Sequence, residues 1–216
     1  MIKKYVWLQL ALLFLFGTSI AYSIPKSAEN IANAYGIEEF NKVIKISYTF
    51  NVHINDKDIQ RKWIWYPKSG HVIYVNENIK YRTNNVTDDL EDTDHKFIND
   101  KYWLLFPFHL LWDENVEFTE ADGKQSSPIN NESLNKLEVK YVNDAGYTPN
   151  DIYELYYDDD FIIKEWVFRK GGSVDNKKAM TWEQNKSYSG ITISENHVGA
   201  NDFRLWFTDV TVETEK

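Results

Sequence analysis

The residues that could do chemistry in this sequence are carboxylates, histidines, arginines and an unusual supply of aromatic rings. Glu154 and Glu165 fall in neighbouring stretches of alternating polarity, where strand pairing could offer them as acid and base to a glycan. The histidines are His53, His71, His95, His109 and His197, and none stands at the short spacings by which a helix or strand presents two ligands to a metal. His53 and His71 could meet across neighbouring strands, but all five read more simply as structural or surface histidines. Asp88, Asp89, Glu91, Asp92 and Asp94 lack the glycine and terminal glutamate of a calcium loop, and read as a solvated helix start with acids at its positive end. Asp158, Asp159 and Asp160 read as a hairpin tip with its acids in water. There is no nucleophile elbow, no phosphate-cradling glycine loop and no cysteine, so neither catalysis, a metal nor a cofactor is expected.

The aromatic residues are the stronger signal. Phe, Trp and Tyr make up 16% of the chain, and many sit in alternating stretches whose second face is also partly apolar. Trp63, Trp65, Tyr102, Trp103, Phe106, Phe108 and Trp112 are the candidates to line an apolar pocket, since such rings offer wide contact area with few polar demands. The same residues could instead fill a core between a sheet and a lid, and composition leaves both readings open. Arg61 or Arg82 could hold a ligand's polar head, because a guanidinium presents a fixed fork of donors to carboxylate or phosphate.

These residues need elements to position them. Residues 1–23 have the three parts of a secretory signal: Lys3 and Lys4, an apolar run from Tyr5 to Phe16, and small residues at Ala21 and Ser23, with cleavage expected after Ser23. The apolar run is shorter than the ~20 residues of a bilayer crossing, so no stable membrane anchor is expected. Residues 24–216 then form one domain of 193 residues, large enough for a real core. The formal net charge is −9, and −11 without the two lysines of the acid-free signal, which argues against nucleic acid or an anionic membrane as partner. The absence of cysteine fits a bacterial export route, periplasmic or secreted, and leaves no site for an N-terminal lipid.

Residues 28–40 read as one helix, with Ser27 as its cap and Gly36 as its weak point. From Val43 the period changes to two, predicting strands over 43–54, 61–66, 71–76 and 79–82. Residues 88–100 read as acidic and weakly helical, leading into the apolar block 101–112, where Pro107 is expected to end a helical turn near Leu105 and start an extended piece. Further strands are predicted over 134–142, 151–157, 161–169, 179–188 and 203–212. The expected fold class is mainly β with a few helices: an antiparallel, incomplete β-barrel or curved sheet of nine or ten strands, with helices covering its concave face.

This order of parts, with Arg61-Lys62-Trp63-Ile64-Trp65-Tyr66-Pro67 in the first strands, Asp100-Lys101-Tyr102-Trp103-Leu104-Leu105-Phe106-Pro107-Phe108-His109-Leu110 in the middle and Asp151-Ile152-Tyr153-Glu154-Leu155-Tyr156-Tyr157 followed by Glu165-Trp166 beyond it, resembles the lipoprotein-localisation superfamily. The likeness points to secreted bacterial members of unknown function. It implies a half-barrel whose apolar concave side holds an acyl chain or similar ligand. In the carriers of that superfamily a strand arginine near the first hairpin interacts with the helical lid, and Arg61 is the nearest counterpart. The chain departs from the receptors in lacking their lipid anchor, and its aromatic middle segment is longer.

The expected partner is therefore a hydrophobic small molecule or lipid. A glycan bound or cleaved at exposed tryptophans is one alternative, and an envelope protein met in assembly is another. Closure of Trp63 and Trp65 under Phe106 and Phe108 would count against the glycan.

Overall fold

The computed structural model describes residues 23–142, 149–175, 177–200 and 202–215; the expected signal, up to residue 22, lies outside them. Two short helices come first, α1 (Lys26–Ala34) and α2 (Ile37–Phe40). The single helix expected over 28–40 is broken at Gly36, whose φ of +85° is left-handed backbone that glycine tolerates. A Cβ on Gly36 would sit 2.1 Å from the carbonyl oxygen of Gly190, so the chains approach closely there as well. Ser27 does not cap α1: the helix starts behind Pro25, and Ser27 is buried within it.

Strands β1 (Val43–Ile54) and β2 (Lys57–Tyr66) form a hairpin joined by Asn55 and Asp56, both at positive φ, the tight turn that matches strand twist. Strands β3 (His71–Tyr74) and β4 (Ile79–Arg82) extend the sheet. Helix α3 (Glu91–Trp112) follows and is longer than expected. Its backbone does break at Leu105 (φ −129°, ψ 22°), where Pro107 removes a donor. The chain then resumes the helix instead of extending, because proline is at home in a first helical turn, where its missing N–H has no partner to lose.

The remaining strands are β5 (Val116–Glu120), β6 (Gln125–Ser126), β7 (Ser133–Tyr141), β8 (Ile152–Tyr157), β9 (Ile163–Arg169), β10 (Lys177–Thr181), β11 (Glu183–Tyr188), β12 (Ile191–Val198) and β13 (Arg204–Thr214). The strand expected over 179–188 is thus two strands, parting at Trp182. Strand β12 is not predicted from the sequence, because Ser194, Glu195 and Asn196 interrupt its apolar pattern. They are buried but satisfied: Ser194 donates to the Glu183 carbonyl (2.7 Å), Asn196 to the Glu183 carboxylate (2.8 Å), and Tyr188 to Glu195.

Two antiparallel sheets result. One runs β11-β12-β13-β1-β2-β3-β4, the other β10-β9-β8-β7-β5, with β6 paired to β7. The chain passes from one sheet to the other at Trp182, and a bridge between Met180 and Gly199 ties that side together. Strands β4 and β5 are the outer strands on the opposite side, so the barrel stays open, and α3 spans the chain between them inside the curve. The half-barrel with helices over its concave face that the resemblance implies is the architecture found. Among the described residues no helix is long and apolar enough to cross a membrane.

Candidate functional site

The inward faces of both sheets follow from strand alternation. On β1 and β2 the cross-strand pairs Ile46–Trp65, Tyr48–Trp63, Phe50–Arg61 and Val52–Ile59 share one face. On β8 and β9, Tyr153 pairs with Phe168 and Leu155 with Trp166. What differs along these faces is whether a helix covers them.

At one end the curve is filled. Trp63 is fully buried, stacked on Tyr74 at 4.5 Å and edge-on to Phe97 of α3 at 5.5 Å. Trp65 packs between Phe97 and Phe40, and Phe106 sits against Tyr153 and Trp166 at 4.7 and 5.2 Å. Phe108 and the half-exposed Trp112 gather around Phe40 at 5.5 and 4.7 Å. Tyr35 pins this end to both sheets, its carbonyl accepting from Thr192 N–H (2.8 Å) and its hydroxyl from Ile163 N–H (3.2 Å).

At the other end the curve stays open as a cleft of about 670 Å³. Phe50, Val52, Ile59 and Leu205 form one wall, Tyr153, Trp166, Phe168 and Met180 the other, and Ile98, Asn99, Tyr102 and Trp103 of α3 face in between. Lys170, Lys178 and Asp151 stand among the lining residues at the ends of β8, β9 and β10. Of the eight residues singled out in the sequence, the structure brings Arg61, Tyr102 and Trp103 to the cleft. Trp63, Trp65, Phe106 and Phe108 belong to the filled core, and Trp112 packs at the far end of α3. Trp63 and Trp65 are closed to water, chiefly under Phe97, so they offer no sugar-stacking face.

Arg61 marks the boundary between the two ends. Its guanidinium donates from Nε and Nη2 to the two oxygens of Asp100 on α3 (2.7 and 2.5 Å) and lies 4.5 Å above the Phe50 ring. Asp100 is completely buried and also accepts from Trp63 Nε1 (2.8 Å) and Asn99 Nδ2 (3.0 Å). Burial raises the Asp100 carboxyl above its usual range, against the pull of these four donors. Arg61 on β2 is thus tied to α3, and two of its donors are already engaged.

A second polar group lies at the end of α3. Asp113 accepts from the Tyr102 hydroxyl (2.5 Å), the Tyr141 hydroxyl (2.7 Å) and His109 Nδ1 (2.8 Å), with His109 stacked on Tyr102 at 4.0 Å. Although burial opposes it, the donors His109, Tyr102 and Tyr141 together hold the Asp113 carboxyl below its usual range; burial lowers His109. This network fixes the Tyr102 ring as part of the cleft wall.

The other candidates take structural places. Glu165 is buried on the outer face of its sheet, where Ser127 Oγ and the backbone N–H groups of Ile129 and Asn130 donate to it at 2.8–2.9 Å, so it anchors the loop before β7. Glu154 shares that outer face with Lys136 and Arg169, away from the cleft. His53 bonds Asp58 (2.7 Å) at the hairpin tip, while His71 pairs with Arg82 (2.8 Å) two strands away, so the two do not meet. Among the described residues no group of three or more His, Asp or Glu could hold a metal. Asp158 is more than a solvated tip: its carboxylate accepts from the N–H groups of Asp160 and Ile162 and pairs with Lys164.

The sequence matches no family model and no curated protein. In three dimensions the chain is similar to the crystal structure of a DUF1329 family protein from Desulfovibrio piger, with a TM-score of 0.51 at 7% identity over 89% of this chain and 94% of that one. A putative outer membrane lipoprotein-sorting protein domain from Vibrio parahaemolyticus gives a TM-score of 0.42 at 12% identity, over 88% and 94% of the two chains. At these identities the likeness to the Desulfovibrio protein is one of fold.

Proposed function

We propose that this protein is an exported binding protein, periplasmic or secreted, that holds a hydrophobic ligand with an acyl character in the open end of its half-barrel. The observation that carries the reading is the cleft, whose 670 Å³ falls within the ~300–1,000 Å³ of small-molecule sites and whose walls are mainly aliphatic and aromatic. A ligand seated there gains ~25 cal/mol for each Å² of apolar surface removed from water. Residues 1–23 support export, and the resemblance to the lipoprotein-localisation superfamily supports a ligand of this kind.

The test is native mass spectrometry of the protein purified gently from an exporting bacterial host, with organic extraction of the same sample. A stoichiometric lipid or acyl species is the expected result. A bare mass that stays bare after incubation with lipid overturns the reading and moves weight to a protein partner in the envelope.

A further inference from the structure

The cleft's charges run against those of the molecule. Residues 24–216 carry a formal net charge of −11, yet the side chains lining the cleft include three cations, Arg61, Lys170 and Lys178, and one carboxylate, Asp151. Arg61 is neutralised by Asp100, and Asp151, which accepts from the Gly171 N–H (2.7 Å), is within electrostatic reach of Lys170 and partly offsets it. Lys178 lies directly across from Phe168 on the inward register of β10 and β9. A lysine on a face otherwise given to apolar side chains is costly unless its charge is used or reaches solvent, and here it reaches the mouth. Lys178 has no ion-pair partner among the described residues. A smaller depression continues outward from the mouth past Phe168, Lys170 and Lys178 to Lys177, Ser173 and Asp175.

The volume limits the tail. A methylene takes up about the space of a water, whose share of liquid volume is ~30 Å³, so the cleft corresponds to on the order of twenty chain carbons, the size of one long acyl chain. Building on the proposed function, we infer that the ligand is an anionic single-chain amphiphile, its tail against Phe50, Val52, Tyr153 and Trp103 and its carboxylate or phosphate head between Lys170 and Lys178. Both ammonium groups stand at the protein surface, so the head keeps part of its hydration, and the charge contacts select the ligand more than they hold it.

Calorimetric titration of the delipidated protein with palmitate, 1-palmitoyl lysophosphatidate and the neutral 1-monopalmitoylglycerol tests this, alongside the variant K170Q/K178Q. The expected result is that at least one anionic ligand binds about tenfold more tightly than the neutral one, as a charge-assisted contact predicts, and that the double variant loses this preference while its affinity for monopalmitoylglycerol changes less than about twofold. A preference for palmitate assigns a carboxylate head, and one for lysophosphatidate a phosphate head. Equal affinity for all three ligands, unchanged in the variant, overturns the anionic head and leaves the hydrophobic cleft standing. Failure of all three to bind overturns the cleft reading itself.

Discussion

The two ends of the half-barrel are built from the same materials and come out differently. At the filled end, Trp63 and Trp65 meet rings of α2 and α3, Phe106 of α3 meets Tyr153 and Trp166, and all three are buried. At the open end, Phe50, Val52, Tyr153 and Phe168 lie on the same inward faces, and although the first three are also buried, only one face of α3 approaches them and a cleft remains. The difference teaches that the cleft is not made by special residues. It is made by where the helix stops covering the sheets, and the Arg61–Asp100 pair stands at that line.

The sharpest way to break the comparison is to cut this pair. Asp100→Ala leaves a largely buried guanidinium and the Trp63 N–H without their acceptor, and should cost about 3–5 kcal/mol in urea unfolding. The double replacement Arg61→Leu with Asp100→Leu removes both charges and should recover much of that loss. A cost under about 1 kcal/mol for Asp100→Ala would mean that packing alone holds α3 against the sheet.

Matched truncations at the two ends come next. Phe106→Ala opens a cavity where both sheets and the helix meet and should cost about 3–4 kcal/mol. Phe168→Ala only widens an existing cleft and should cost about 1 kcal/mol or less, while weakening whatever the cleft binds. Equal losses at the two positions would show that the open end is as tightly built as the filled one.

Much of this arrangement was legible in the sequence, for a physical reason. Period-two alternation over residues 43–66 and 151–169 places side chains on one face whatever covers it, so the sheets and their hairpins could be read directly. Alternation runs unchanged through Thr181 and Trp182, however, although the chain changes sheets there, because a local pattern does not record which neighbour a strand pairs with. The same blindness divided the site. Arg61, Tyr102 and Trp103 were found by residue type, whereas Phe50, Tyr153 and Phe168 are indistinguishable by pattern from core residues until the path of α3 is known. Lys178 was the available signal: a charge at an inward position marks a face that is not closed.

The last effect appears only on acidification and concerns the seam joining the two sheets, where His197 is buried among the rings of Trp103, Trp182 and Phe207. Its Nδ1 donates to the Thr181 carbonyl (3.2 Å), leaving Nε2 as an unprotonated nitrogen without a partner among the described residues. Burial pushes this imidazole down to about 3, so the folded protein holds it neutral while the unfolded chain protonates it near the ordinary 6.5. Between those values the unfolded state binds the extra proton. Stability from this group is therefore complete above about pH 6.5 and falls with acidification by up to ~1.4 kcal/mol per pH unit. Urea unfolding at pH 7 and pH 5 should show the decline in the native protein and a shallower one in His197→Phe, which removes the titrating nitrogen and keeps a ring in the seam. If the variant declines as steeply, the proton belongs to another group, with His109, lowered by burial beside Asp113, the next to be replaced. Because no charged side chain contributes to the His197 shift, its slope should be insensitive to salt, unlike the strength of exposed ion pairs such as Lys124–Asp159.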